Sequence, residues 1–350
     1  MRIVVDAMGG DHAPSAAVAG AFLAVEDAEY NDMEIILVGQ EQAIEEEIAA
    51  HRFQSTRVHI KHAAQIVSMK ESPTKALKHK PNSSIAVGIN LIKQNFADAF
   101  VSAGNTGAVL TSSLLSLGRI EGVNRPTIGS YLPTESGGCV IFDVGANPDA
   151  KPLNLLQFAI MGSIYDKYIF GIENPRVGLL NIGEERTKGN DVVVDAYGML
   201  EQEVPNFVGN IEGRDILTGA VDLVICDGFV GNILLKFAES VVDVLTSKIK
   251  RNIGNKPFAN LGALLMKPVM NSVAKEFNYE EYGGVPLLGI NGVSIISHGS
   301  STPKAIKNAV GVARKMVKKQ INTIIKHELE AHQVPSPSMP QVDDPLIPQG

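Results

Sequence analysis

Apolar residues in this chain follow two alternating rhythms. Short runs that are apolar throughout give way to longer segments with apolar positions three and four apart, the pattern of strands and helices that take turns. Residues 2–5 are a β-branched run that ends at Asp6 and leads into Gly9, Gly10, Asp11, His12 and Pro14. A helix through Ala16, Val18, Ala21, Phe22 and Val25 follows. The spacing then predicts a strand over 34–39, a helix over 41–51, a strand over 57–60, a short helix from Ser72 and Pro73, and a helix over 85–94 capped by Asn82 or Ser83. A strand over 98–102 runs into Ala103, Gly104, Asn105, Thr106 and Gly107, and a helix to 117 succeeds it. Strands over 127–132 and 138–143 read as a hairpin, and 153–167 carries the helical period. A strand over 177–182 opens onto a mixed-charge loop, with Asp191 expected to cap a helix to 202. Strands over 207–209 and 222–226 precede a long helix through Leu234, Leu245 and Ile249. Residues 293–297 form the last strand, and Thr302 caps a helix over 303–327.

The strands that end in glycine with Asp or Asn place Asp143, Asn147, Asn190, Asp227, Gly228, Gly231, Asn232 and His298 at their tips, beside those of the first loop. In an open α/β sheet ligands bind beyond the carboxyl ends of strands. Main-chain N–H groups there and at helix N-termini favour an anion. Placed along one sheet edge, these loops would build a polar, glycine-lined cleft.

With 350 residues, 45% of them apolar and 20% charged, the chain suits a soluble α/β enzyme of one large or two smaller units. The net charge of -7 argues against nucleic acid as the main partner. Cys139 and Cys226 lie in apolar runs and read as buried thiols of a reducing compartment, with the cytoplasm as the expected location. No signal-like or membrane-spanning segment is read, and the scattered histidines suggest no metal. From Gln333 onward, prolines and the lack of an apolar period mark a disordered tail over 333–350.

The dinucleotide, P-loop and nucleophile-elbow fingerprints are all missing. What remains is anion chemistry, with Lys188, Arg186 and Lys304 offering charge near strand ends and Asn105, Asn147, Asn190 and Asn232 offering neutral hydrogen bonds.

Seven motifs taken together carry a resemblance: DAMGGDHAP at 6–14, SAGNTGA at 102–108, FDVGAN at 142–147, LLNIGEERTKGN at 179–190, FVGNIEGRDI at 207–216, CDGFVGN at 226–232 and LLGINGVSIISHG at 287–299. Over about residues 1–325 the chain resembles the phosphate acyltransferases of bacterial phospholipid synthesis. The resemblance implies transfer of a fatty acyl group from acyl carrier protein to inorganic phosphate, with no cofactor. It implies a cytoplasmic homodimer bound peripherally to an anionic membrane, supplying acyl phosphate to a membrane enzyme that acylates glycerol 3-phosphate. It further implies an open, mostly parallel sheet with helices on both faces, similar to isocitrate and isopropylmalate dehydrogenases. One α/β unit over 1–332, made of two intertwined subdomains and a helical hairpin near 254–275, is the expected organisation.

The expected site has Lys188, His12 and Asn232 as catalytic groups. Its substrate-binding set is Asp6, Gly9, Gly10, Asp11, Ser102, Gly104, Asn105, Thr106, Gly107, Asp143, Asn147, Asn190, Asp227, Gly228, Gly231 and His298. For phosphate itself, Gly9, Gly10, Asn105, Thr106, Lys188 and Asn232 are expected to line one cleft. Two alternatives stay open on the residues: a dehydrogenase of the same fold, and a membrane-bound scaffold that senses phosphate. An acidic carrier protein calls for a local basic face. The candidates are Lys304, Lys307, Arg314, Lys315, Lys318 and Lys319, or Lys248, Lys250, Arg251 and Lys256. Phe258, Leu261, Leu264, Leu265, Met266, Val269 and Met270 recur at spacings of three and four, interrupted at Lys267 and Pro268. They predict a bent pair of short amphipathic helices with basic flanks, suited to an anionic bilayer, with the core or a dimer contact as the alternative.

Overall fold

The computed structural model describes residues 1–254, 257–276 and 282–332. Its strands are β1 (Arg2–Asp6), β2 (Glu34–Gly39), β3 (Val58–His62), β4 (Ala99–Ser102), β5 (Thr127–Thr134), β6 (Gly137–Phe142), β7 (Val177–Leu180), β8 (Phe207–Ile211), β9 (Leu223–Ile225), β10 (Val285–Leu288) and β11 (Val293–Ile296). All join one sheet in the order β3-β2-β1-β4-β11-β10-β5-β6-β9-β7-β8. The helices are α1 (Ser15–Glu26), α2 (Glu41–His51), α3 (Pro73–His79), α4 (Ser84–Lys93), α5 (Thr106–Leu117), α6 (Pro152–Tyr165), α7 (Asp191–Glu203), α8 (Gly213–Thr218), α9 (Gly228–Ile253), α10 (Pro257–Glu276), α11 (Pro303–Lys318) and α12 (Ile321–Ala331).

Apolar alternation along the strands explains why helices cover both faces. Ile3 and Val5 of β1 join a core with Phe22 of α1, Phe158 of α6 and Val310 of α11. Val4, between them, faces a second core with Phe100, Ile89 of α4 and Val109 of α5. A period of two with both faces apolar is what a sheet sandwiched between helix layers requires.

Strand direction decides where sites can form. β3, β2, β1, β4 and β11 are mutually parallel. β10 pairs antiparallel with β11 and β5, and β5 pairs antiparallel with β6. β6, β9, β7 and β8 are parallel to one another, and so run against β1 and β4. The single sheet edge expected for the glycine loops is therefore corrected to two. Local patterning cannot report a net reversal, which depends on how β10 and the β5–β6 hairpin insert between the halves.

Three helical expectations also change. Asn190 caps α7 in place of Asp191, its side chain accepting from the Val193 N–H. The helix from 303 divides into α11 and α12 at Gln320, which adopts a left-handed φ of 52°. The expected pair of short helices is one helix, α10, with Pro268 inside it. Residues 264–270 around Pro268 are exposed, so water can take the carbonyl that proline leaves unbonded. The expected tail at 333–350 lies outside the described residues, as do Asn255 and Lys256 and the side chains of Lys250 and Phe258.

Candidate functional site

At the carboxyl ends of β1, β4 and β11, Asp6 is buried and serves the loops, not the solvent. Its carboxylate accepts from the Met8 N–H at 3.0 Å and from the Ser102 hydroxyl at 2.7 Å. Ser102 Oγ in turn accepts from the Gly104 N–H at 3.0 Å. Burial raises the Asp6 carboxyl above its ordinary pKa, while bonds from Ser84, Ser102, Met8 and Gly9 pull it back. The loops meet backbone to backbone: a Cβ at Gly9 would lie 2.6 Å from the Gly104 nitrogen. The Asp11 N–H donates to Gly299 at 2.7 Å, tying in the loop after β11. Asn105 is fully engaged. Its oxygen caps α5 through Ala108, and its amide donates to the carbonyls of Ser68, Met69 and Glu71 at 3.0–3.1 Å. The first turns of α1, α5 and α11 follow these three strand ends, giving the corner partial positive charge. Asp11, His12, Thr106 and His298 remain exposed around it, the last bonded to Ser300. Gly10 and Gly107 are half-buried.

The second corner lies at the ends of β6, β9 and β7. Asp143 is fully buried, and its Oδ1 accepts from the N–H groups of Ile128, Gly145 and Ala146 at 3.1–3.2 Å. Its Oδ2 accepts from Asn147, main chain and amide, at 2.6 and 2.7 Å. Burial raises this carboxyl too, against the pull of those donors. The Asn147 amide also donates to Pro126, and the Asn147 carbonyl accepts from the Gly228 N–H at 2.8 Å. Asp227 caps α9 through Phe229 and Val230. A side chain at Gly231 would overlap the Asp143 carbonyl oxygen, so only glycine lets α9 seat on this loop.

The loop after β7 is shaped by Asn181 donating to the Lys188 carbonyl and Asn210 donating to the Glu185 carbonyl, both at 3.0 Å. Arg186 is drawn off to Glu201 at 2.8 Å and over the Tyr197 ring. Lys188 is exposed and has no carboxylate partner among the described residues. Asn232 is half-buried, and of the four candidate asparagines it is the one whose side chain makes no hydrogen bond among the described residues.

The structure thus divides the expected phosphate residues, with Gly9, Gly10, Asn105 and Thr106 at one corner and Lys188 and Asn232 at the other. Asp6, Ser102, Asn105, Asp143, Asn147, Asn190 and Asp227 all make hydrogen bonds inside their own loops and caps. Those bonds hold the loops in place and make these residues positioning groups. Pattern reading missed Ser84 beside Asp6 and the segment over 66–80 held by Asn105, because neither sits at a strand tip. It also missed Asp166, a buried carboxyl with neither oxygen hydrogen-bonded, in the single π turn after α6.

Residues 1–324 match the family model described as "Fatty acid synthesis protein". The chain is 52% identical over 330 residues to the phosphate acyltransferase of Heliobacterium modesticaldum, covering 94% of this chain and 98% of that protein. This chain belongs to the phosphate acyltransferase family. As a phosphate acyltransferase family member it is an enzyme, and the dehydrogenase and scaffold alternatives fall away. Among solved structures the fold resembles the EutD phosphotransacetylase from Staphylococcus aureus, with a TM-score of 0.60 at 15% identity over 91% of this chain and 94% of that one. It also resembles a Salmonella typhimurium protein assigned as a 4-hydroxythreonine-4-phosphate dehydrogenase, with a TM-score of 0.51 at 11% identity over 90% and 99%. The open, mostly parallel sheet with helices on both faces expected from the sequence is thus a fold this chain shares with both proteins, one of them assigned as a dehydrogenase.

Proposed function

We propose that the protein transfers a fatty acyl group from an acyl carrier protein thioester to inorganic phosphate, in the region bordered by the two glycine-lined corners. The observation that carries this reading is the set of uncommitted groups at strand ends, Lys188 and Asn232 at one corner and His12 and Thr106 at the other, in a chain of this family. Five strand steps separate β1 from β6. At about 20–25° of twist per step, roughly 100–125° accumulates. A reversed strand turned that far no longer points away from β1, which allows both corners to border one flank.

In the reaction a phosphate oxygen attacks the thioester carbonyl carbon. The new C–O bond forms, the C–S bond breaks and the thiolate takes a proton. Lys188 offsets the charge of phosphate, Asn232 donates to the developing oxyanion, and His12 or Lys188 supplies the proton. Exposed Ile182 after β7 and exposed Phe229 and Val230 in the first turn of α9 give an apolar shelf on neighbouring strand ends for the acyl chain. Incubation with acyl carrier protein thioester and phosphate should release free thiol and form acyl phosphate, trapped as hydroxamate. Thiol release that does not require phosphate would identify a thioesterase and overturn the reading.

Exposed Phe237, Val241, Leu245 and Ile249 form a stripe on α9 that supports a homodimer. Leu261, Leu264, Leu265, Met266, Val269 and Met270 are all exposed, so the core alternative is set aside for them in this chain. With Lys248, Arg251 and Lys267 nearby in sequence they suit peripheral binding to an anionic membrane, where the acyl phosphate passes to an acyltransferase acting on glycerol 3-phosphate. No helix of the described residues is long and apolar enough to cross a membrane. Cytoplasmic location completes this reading.

A further inference from the structure

Of the basic faces, the one on α11 is largely spent within the chain. Lys307 pairs with Asp27 at 2.6 Å, while Arg314 and Lys318 pair with Asp32 at 2.7 and 2.6 Å. These cations hold α11 against the segment after α1, and the Asp32 carboxyl is lowered to about 2 by Lys318 and Arg314. Residues 61–80 differ. They contain Lys61, Lys70, Lys75, Lys78 and Lys80 against one acidic residue, Glu71. Lys80 neutralises Glu71 at 2.6 Å. Lys70, Lys75 and Lys78 are exposed and have no carboxylate partner among the described residues. In a chain of net charge -7, that makes the segment a local reversal of sign.

The segment is also built into the first corner. Three of its carbonyls bond the amide of Asn105, which caps α5. Lys80 Nζ donates to the Ile66 carbonyl at 2.7 Å and closes the strap from the other side. Pro73, the first residue of α3, packs against Gly107, and a Cβ at Gly299 would lie 3.0 Å from the Met69 terminal methyl. Ile66 and Met69 stand exposed among the lysines. Two exposed apolar residues within a basic, hydrogen-bonded strap fit the rim of a protein contact; they are too few for insertion into a bilayer.

We propose that the strap over 66–80 and the exposed face of α3 dock the acidic protein that carries the thioester, with Lys70, Lys75 and Lys78 supplying the charge. The inference rests on the acyl-transfer reading and assigns the partner surface of that reaction. Docking there sets a carrier beside the Gly9–Gly104 corner, so that a thioester arm enters past Thr106.

The test compares the intact protein with the variant Lys70→Glu, Lys75→Glu, Lys78→Glu on two donors, an acyl thioester of an acidic carrier protein and the uncharged acyl thioester of N-acetylcysteamine. At low salt, KM for the carrier donor should rise about tenfold or more, with kcat and the small-donor kinetics unchanged. The difference should shrink as salt is raised. No change in KM, or equal losses on both donors, overturns the proposal. So does transfer of the effect to a control variant, Lys248→Glu with Arg251→Glu, or loss of binding to phosphatidylglycerol vesicles in place of the carrier effect. If the unmodified protein forms no acyl phosphate from either donor, the acyl-transfer reading fails. Carrier binding measured by fluorescence anisotropy on both forms then still decides the surface.

Discussion

The two glycine-lined corners use a buried carboxylate in different ways. At the first, Asp6 bridges separate strands, taking the Ser102 hydroxyl from a neighbour 96 residues away in the chain. At the second, Asp143 collects four of its five donors from Gly145, Ala146 and Asn147, and only Ile128 comes from another strand. The first corner is therefore a joint between loops, and the second is a self-contained turn on which α9 is mounted. Their free groups differ accordingly. The joint presents helix N-termini with an exposed imidazole, whereas the turn stands beside an ammonium and an amide that have no partner among the described residues. Anion attraction comes from oriented peptide groups at one corner and from a full charge at the other, which suits the proposed reaction, where phosphate and a thioester are held together.

The contrast is broken most directly by Lys188→Ala. It should reduce kcat/KM for phosphate by roughly 10²–10³-fold and leave thermal unfolding unchanged, because the side chain is exposed. Near-normal turnover at limiting phosphate would remove Lys188 from the site. The joint and the turn should separate next in stability. Asp143→Ala strands five donors and should cost about 4 kcal/mol or more. Asp6→Ala should cost about 3 kcal/mol, with urea unfolding as the measurement. If Asp6→Ala proves the more damaging, the bridge between strands matters more than the number of donors.

A third carboxyl, Asp166, sharpens the comparison because it is buried with no donor among the described residues. Burial, and then the charge of Asp222, raise its pKa well above 3.8. A carboxyl raised in the folded state lends its full stability below the unfolded pKa and loses it as pH climbs through the folded one. Asp166→Asn should therefore raise the melting temperature at pH 8 and have little effect near pH 3.5. A gain independent of pH would mean that the carboxyl is not protonated in the fold. The smallest effect is expected from Asn190→Ala. Loss of the α7 cap should cost about 1 kcal/mol and leave the KM for phosphate unchanged, setting apart two residues only two positions from each other.

Much of this was legible in the chain. The alternation of strand and helix, the limits of β2 and α2 and the glycine loops at strand tips all follow from local pattern, because each depends on residues close in sequence. Which polar tips would be consumed by their own loops was not legible. Asn105 and Asn232 look alike as asparagines beside a glycine at a strand end. One spends its whole side chain on a cap and three carbonyls, and the other spends none. That distinction depends on where residues 68–71 pass in space, which no local pattern records. The reversal between β1 and β6 was hidden for a similar reason, since β6 ends at Phe142 and β10 enters the sheet only at Val285.

The contact of Gly9 on Gly104 has a mechanical consequence. With no side chain between them, the two loops have no compressible layer, and a displacement of one passes undiminished to the other. Their remaining bonds are buried, so separating them breaks hydrogen bonds that water cannot replace at once. The first corner therefore behaves as an anvil. Whatever opens to admit substrate and release product in the proposed reaction must yield elsewhere, and the loop from Glu184 to Asn190, exposed throughout and held by few side-chain bonds, offers the smaller resistance.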